Sequence, residues 1–297
     1  MTPDVHSVSP RRTKLRPPRL ANDLISRPRL LERLDRLATL SLIVAPAGYG
    51  KTTLVSMWLA RIELPSAWVS LDEEDNDPSL FLTSLVAAVR TLFPGFGGEI
   101  LERLASLHGP PSVDLMATVI NELNKLDREF VLVLDDYHVV HDPAIHHLLI
   151  QLLTHPPQSI HLVIATRHDP PLPWNLRARG YLCEIRARDL SFTQAEAAEF
   201  LTKATERPVT PEEAASLTGQ AEGWVTSLRL AALNARRLSD GYSWPAALNS
   251  NQRNLVEYFV AEVMAYLPAE DSEFLIHTSI LDELSGASCD FVAGAVE

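Results

Sequence analysis

The chain has 297 residues, 46% of them apolar and 22% charged, the balance of a globular protein with room for two or three domains and a sizeable core. Its net charge of −12, from 26 basic and 38 acidic residues, argues against a chain whose main work is neutralising nucleic-acid phosphates. No apolar run reaches the ~18–20 residues of a membrane span. The Pro- and Arg-rich N-terminus has no apolar centre of a secretory leader, and Cys183 and Cys289 form no paired motif, so a cytoplasmic protein with reduced thiols and no membrane partner is expected.

Residues 1–26 are expected to be extended, because Pro3, Pro10, Pro17 and Pro18 break any helix. The first 40 residues carry nine Arg/Lys against four acids, so this arm either packs on the acidic body or touches DNA; the former is the simpler reading. A helix starts at Pro28 with Leu30, Leu31, Leu34 and Leu37 on one face. Strands are expected at 40–45, 67–71, 130–134, 160–166 and 181–187, each an apolar run rich in β-formers. Helices fall between them: one after residue 50 to about 61, one opened by Asp77-Pro78, one over 112–127 and one opened by Asp142-Pro143. Residues 93–111 read as a Gly/Pro-rich loop. Strands alternating with helices imply βαβ units and a doubly wound parallel sheet. Beyond 189 the strand signals stop. Thr193-x-x-Glu196 and Thr210-Pro211-Glu212-Glu213 are capping boxes for helices at 193–204 and 211–218. Further helices are expected at 222–236 and 250–267. The expected division is an arm (1–26), a strand–helix domain (27–188), a helical domain (189–245) and the start of another domain (246–297).

The chemistry concentrates at the ends of the strands. After the run Leu40–Val44 comes Ala45-Pro46-Ala47-Gly48-Tyr49-Gly50-Lys51-Thr52-Thr53. Glycines before a helix let backbone N–H groups turn inward round phosphate oxygens, and the helix N-terminus adds its positive end. Lys51 can reach the outer phosphates and the Thr52 hydroxyl can bind Mg²⁺. The common pattern has glycine where this chain has Ala45. Asp135-Asp136 closes the strand 130–134, where the first carboxylate can hold Mg²⁺ through water and the second can orient the attacking water. Asp136 is one methylene shorter than a glutamate in that role, which suits slow hydrolysis and hence a switch. Thr166-Arg167 closes the strand expected between the two motif strands. Arg167 there can sense a γ-phosphate; otherwise it is a surface arginine in a loop. For Arg177 and Arg179 a solvated basic turn is favoured over a phosphate contact. His138, His141, His146, His147 and His155 crowd one region, but adjacent His146 and His147 point apart on a helix and no cysteine is near, so no metal site is expected. The tryptophans (58, 68, 174, 224 and 244) read as core or domain-interface residues.

With these residues in place the chain resembles the ATPase module of MalT-type regulators, large ATP-dependent LuxR-type transcriptional activators of the STAND class of signalling NTPases. The resemblance runs through Thr13-Lys-Leu-Arg-Pro-Pro18, Arg27-Pro-Arg-Leu-Leu-Glu-Arg-Leu34, the loop 45–53, Trp68-Val-Ser-Leu-Asp72 with Asp75-Asn76, Leu134-Asp-Asp-Tyr-His138, Ala165-Thr-Arg167, Glu222-Gly-Trp224 and Thr278-Ser-Ile-Leu281. The family is similar to the chain at Ala45, so that alanine is no defect. The resemblance implies a P-loop NTPase fold with a five-stranded parallel sheet, then a small helical domain and the beginning of a winged helix. It implies ATP or ADP with Mg²⁺, bound through Pro46–Thr53, with Thr52 and Asp135 at the metal. The segment Leu24–Pro28, including Ile25 and Arg27, resembles the linker whose backbone reads adenine. Related NTPases often carry G-x-P in the helical domain; Gly223-Trp224-Val225 lacks that proline.

The function implied is a switch: ADP holds a closed monomer, inducer binding favours an ATP form that self-associates and activates transcription, and slow hydrolysis resets it. Inducer and promoter DNA would be bound by domains outside these residues. The competing readings are an oligomeric P-loop ATPase machine with a trans-acting arginine, and an interaction scaffold with a locked structural nucleotide.

Overall fold

A computed structural model describes residues 10–106, 113–172, 180, 182–237, 256, 257, 260, 264, 269–281 and 283–293. Arg177, Arg179, Trp174, Trp244 and nearly all of the helix expected over 250–267 lie outside them. The chain divides into two compact units, residues 1–226 and 227–297.

The first unit is built on a five-stranded parallel sheet: β1 (Leu40–Val44), β2 (Ser66–Ser70), β3 (Phe130–Asp135), β4 (Ile160–Thr166) and β5 (Leu182–Arg186). Their spatial order is β2-β3-β4-β1-β5, so β4 lies between the two motif strands, as the sequence implied. The inner strands β1, β3 and β4 are buried on both faces, which is why they are nearly unbroken apolar runs rather than alternating ones, whereas edge strand β5 carries the half-buried Glu184 and Arg186. On one face Leu42, Val69, Leu132, Leu134, Leu162 and Ile164 meet α3 (Pro78–Arg90), α4 (Gly98–Ser106), α5 (Val113–Asn124) and α6 (Pro143–Thr154). On the other, Ile43, Trp68, Val131, Val133, Val163 and Ile185 meet α1 (Pro28–Leu34) and α2 (Lys51–Leu59).

Proline and a capping side chain set several helix starts. Asp77 accepts from the Ser79 and Leu80 amides ahead of Pro78, and Asp142 accepts from the Ala144 amide ahead of Pro143. One expectation fails. Residues 93–111 are not all loop, because Gly98–Ser106 is α4. Three prolines and four glycines punctuate the segment, but Ile100, Leu101 and Leu104 recur at helical spacing against the core and Glu99 pairs with Arg103 one turn on at 2.8 Å. The arm does pack on acidic residues. The Lys14 ammonium lies 2.9 Å from Asp72 and 2.6 Å from buried Asp75, and its carbonyl accepts from the Ser70 amide at 2.8 Å, at the end of edge strand β2.

After β5 the first unit continues through the short α7 (Ala187–Leu190), α8 (Gln194–Thr205) and α9 (Pro211–Gln220). Both predicted capping boxes form: Thr193 with Glu196 and Thr210 with Glu213. α10 (Val225–Arg237) begins at the end of this unit. In the second unit the other described helices are α11 (Ala269–Thr278) and α12 (Gly286–Ala293). Among the described residues no helix is long and apolar enough to cross a membrane.

Candidate functional site

The C-terminal ends of β1, β3 and β4 bring the predicted residues together. Val44 pairs in register with Thr166, Leu134 pairs with Ile164, and the Ala45 amide donates to the Thr166 carbonyl at 3.2 Å. Loop 45–50, Asp135-Asp136 and Arg167 therefore converge on one edge of the sheet, the place where open α/β sheets carry their sites.

Gly48 and Gly50 both have φ of +78°, the left-handed region that glycine adopts without a Cβ penalty. Gly50 caps α2, whose first residue is Lys51. The Lys51 ammonium is buried and donates to the carbonyls of Ala45 at 2.8 Å and Pro46 at 3.1 Å, so it folds back across the loop. Burial pulls its pKa down to about 8, against the attraction of Asp136 and Asp135. One residue on, the Thr52 hydroxyl donates to Asp135 Oδ1 at 3.0 Å, joining the two predicted metal-site residues directly. Burial, then the neighbouring Asp136 charge, push the Asp135 carboxyl up to about 7. Burial thus penalises the ionised forms of both groups, while each is drawn back by the opposite charge of the other.

Asp136 sits at φ +56°, which turns the chain out of β3 and leaves its carboxylate half exposed. His138 follows on the next turn. Its side chain is 8% exposed and its Nδ1 lies 3.8 Å from Asp136 Oδ1, too far for a hydrogen bond. That nitrogen makes no hydrogen bond among the described residues. Burial, with the charges of Arg167 and Lys51 nearby, pulls its pKa down to about 3, so the ring is neutral. The sequence reading weighed His138 only as a metal ligand; its offset of two from Asp136 on a turning segment was the signal that it faces the same site. The other histidines have local roles: His146 Nδ1 bonds the Tyr137 hydroxyl at 2.7 Å, and His168 meets the His138 ring edge-on. Among the described residues no group of three or more His, Cys, Asp or Glu is arranged to hold a metal.

Arg167 leaves β4 directly beyond Thr166, whose hydroxyl donates to the His168 carbonyl at 2.9 Å. The loop that carries it is held from β5. Arg186 grips Asp169 with both guanidinium ends at 2.7 and 2.8 Å. Ile25 and Arg27 are both buried, and Arg27 is committed elsewhere in the fold. Its guanidinium donates to both Glu196 oxygens at 3.1 Å and to the Ser191 carbonyl at 3.1 Å, and it lies 4.7 Å over the Phe192 ring. The side chain thus docks the start of α1 on α8, and the Arg27 carbonyl accepts from the Leu30 and Leu31 amides that open α1.

The helical extension reaches the loop itself, which sequence reasoning missed. Trp224 Nε1 donates to the Ala47 carbonyl at 3.1 Å, and the Thr226 hydroxyl donates to the Gly48 carbonyl at 3.0 Å. Gly223, at φ +70°, seats this turn against Phe192, whose amide donates to the Gly223 carbonyl at 2.9 Å.

Residues 260–297 match the family model of the MalT winged helix domain. The chain is 36% identical over 280 residues to the HTH-type transcriptional regulator MalT of Serratia proteamaculans (strain 568), covering 92% of this chain and 30% of that protein. The MalT of Yersinia enterocolitica serotype O:8 is likewise 36% identical over 278 residues, with 92% and 30% covered. Among solved structures, the STAND protein with a tetratricopeptide repeat sensor from Pyrococcus horikoshii superposes with a TM-score of 0.56 at 19% identity, covering 92% of this chain and 37% of that one. A Walker-type ATPase of Pyrococcus abyssi gives 0.60 at 14%, covering 95% and 87%. These two establish the P-loop NTPase fold. The chain spans about 30% of the length of the curated relatives it matches. Over 92% of its length it is similar to the regulators named MalT, the resemblance that its own motifs carry.

Proposed function

We propose that the chain is the adenine-nucleotide switch module of an inducer-responsive, cytoplasmic transcription regulator. The observation that carries this reading is the convergence of the 45–53 loop, the Thr52–Asp135 bond and Arg167 at the ends of three adjacent parallel strands. The proposed division is an arm at 1–26, a nucleotide-binding domain at 27–188, a helical domain at 189–245 and a partial winged helix at 246–297.

In this reading the amides of Gly48, Tyr49 and Gly50, together with those opening α2 through Thr53, receive the phosphates, and Lys51 leaves the Ala45 and Pro46 carbonyls to pair with them. Pro46 and Ala47 form the outer wall of the loop. Thr52 and Asp135 would hold Mg²⁺, which would supply the positive charge that screens the phosphates during attack. Asp136 orients the attacking water, His138 Nδ1 offers that water a second partner, and Arg167 binds the γ-phosphate. The Ile25–Arg27 backbone reads the base. Asp136, a short carboxylate, makes hydrolysis slow, so the bond energy resets a switch rather than driving a motor. Binding energy for the γ-phosphate shifts the population toward a form that self-associates and activates transcription.

The test is the nucleotide that co-purifies, read by mass spectrometry, together with calorimetric titration of the stripped chain. ADP or ATP retained by the wild type, with at least a hundredfold weaker binding by Lys51→Ala, is the expected result. A chain that binds neither nucleotide overturns the reading. Equal affinity for ADP and ATP would instead favour a locked scaffold, because a ligand without differential affinity shifts no equilibrium.

A further inference from the structure

We infer that Trp224 and Thr226 are positioning residues for the phosphate loop: they fix the two peptide planes whose N–H groups must face the phosphates. This rests on the nucleotide reading above and adds to it a role for the helical extension.

The argument is geometric. In a trans peptide the C=O and N–H of one plane point in opposite directions, and the described chain has no cis peptide bond. Trp224 Nε1 holds the Ala47 carbonyl at 3.1 Å, so the Gly48 N–H in that plane is turned away from the indole. The Thr226 hydroxyl holds the Gly48 carbonyl at 3.0 Å, so the Tyr49 N–H in the next plane is turned away from the hydroxyl. Two consecutive carbonyls are drawn to the helical side and two consecutive amides face the opposite side. An isolated Gly-x-Gly loop has no such preference, since glycine peptide planes flip at little steric cost. A loop free to flip pays the ordering entropy when phosphate binds; a loop already pinned does not.

Two further observations show that the contact is built rather than incidental. A Cβ at Gly48 would lie 2.3 Å from Thr226 Oγ1 and 2.8 Å from Trp224 Nε1, so the loop and the turn approach as closely as a glycine allows. The turn itself is anchored. A Cβ at Gly223 would lie 2.8 Å from the Phe192 carbonyl oxygen, which presses the 222–224 turn onto the start of α8. The line of support therefore runs from residues 191–193 through Gly223 to Trp224 and Thr226, and so to the carbonyls of 47 and 48. The diphosphate part of a nucleotide is the ligand chemistry that this pinning serves.

The experiment compares Thr226→Val, Thr226→Ser and Trp224→Phe with the wild type in the full 297-residue chain. Thr226→Val keeps the shape of the side chain and deletes the donor, Thr226→Ser keeps the donor, and Trp224→Phe keeps an aromatic ring without the N–H. Thr226→Val and Trp224→Phe should each weaken ADP binding about five- to tenfold, with the nucleotide-free melting midpoint nearly unchanged. Thr226→Ser should bind as the wild type does. A merely structural contact would lower the melting midpoint and would not be restored through the hydroxyl alone. If Thr226→Val binds ADP as tightly as the wild type, the inference is overturned while the nucleotide reading stands. If the wild type itself fails to bind ADP, the nucleotide reading falls and takes this inference with it.

Discussion

Gly48 and Gly50 share the same φ of +78° and differ in what surrounds them. Nothing lies within 4 Å of a Cβ built on Gly50, whereas one on Gly48 collides with Thr226 and Trp224. Gly50→Ala should therefore cost only the left-handed backbone penalty of about 1–2 kcal/mol. Gly48→Ala should cost that and the displacement of the 224–226 turn, about 3 kcal/mol or more on the scale of overpacked, strained sites. Urea denaturation of the nucleotide-free variants measures the difference, and equal losses would contradict the packing described here. At His138 the sign of the pH effect is fixed by the direction of the shift. Its pKa falls from the ordinary 6.5 to about 3 in the folded chain, so the unfolded chain takes up the proton first. The stability associated with the neutral ring is complete above about pH 6.5 and is lost as pH falls toward 3. His138→Gln cannot take up that proton and should lose less stability between pH 7 and pH 5 than the wild type. Thermal unfolding at the two pH values measures it; parallel losses would show that the ring is not held neutral.

Among the elements, α1 and α8 are joined by a concentrated ionic contact. Arg27 and Arg29 both reach Glu196, whose side chain is 12% exposed and which also caps its own helix by accepting from the Thr193 amide. One carboxylate thus serves two guanidiniums and a helix end, and Arg27 at 7% exposure has little water to fall back on. Glu196→Ala should destabilise the first unit by about 3 kcal/mol, the cost of leaving one member of a buried pair alone. Denaturant titration would show it, and a loss below about 1 kcal/mol, the range of surface pairs, would mean that Arg27 relaxes into solvent. The sequence made both capping boxes legible because capping is a matter of residues three apart. It made the inner strands legible because a parallel sheet buried on both faces needs continuous apolar runs there. α4 was hidden, since glycine and proline around it speak for a loop while its apolar spacing covers only two and a half turns. The docking of Trp224 and Thr226 was hidden for a different reason: their partners are 177 and 178 residues away, and no local pattern encodes a pairing at that distance.

On the scale of the whole molecule, the loop, Asp135-Asp136 and Arg167 lie at the ends of adjacent strands, as the sequence implied; parallel βαβ connections put these ends on one side of the sheet, but the handedness of the connections does not by itself set the order of the strands. The sequence did not foresee that the side chain of Arg27 would be spent on Glu196, or that His138 would face Asp136. A nucleotide bound only by the folded chain should stabilise the first unit by mass action, about 2.7 kcal/mol when ADP stands at one hundred times its dissociation constant. Differential scanning calorimetry should register the shift in the wild type and not in Lys51→Ala at the same ADP concentration.

The arm has a consequence at this scale too. β2 is an edge of the sheet, and an edge strand is a template on which a strand of another molecule can pair. The Lys14 carbonyl takes the amide of Ser70 at the end of that strand. The Lys14 ammonium, paired with Asp72 and Asp75, fixes the arm at the same place. The first described residues thus occupy the end of this edge beside Ser70, one of the places where a strand of another molecule would otherwise pair.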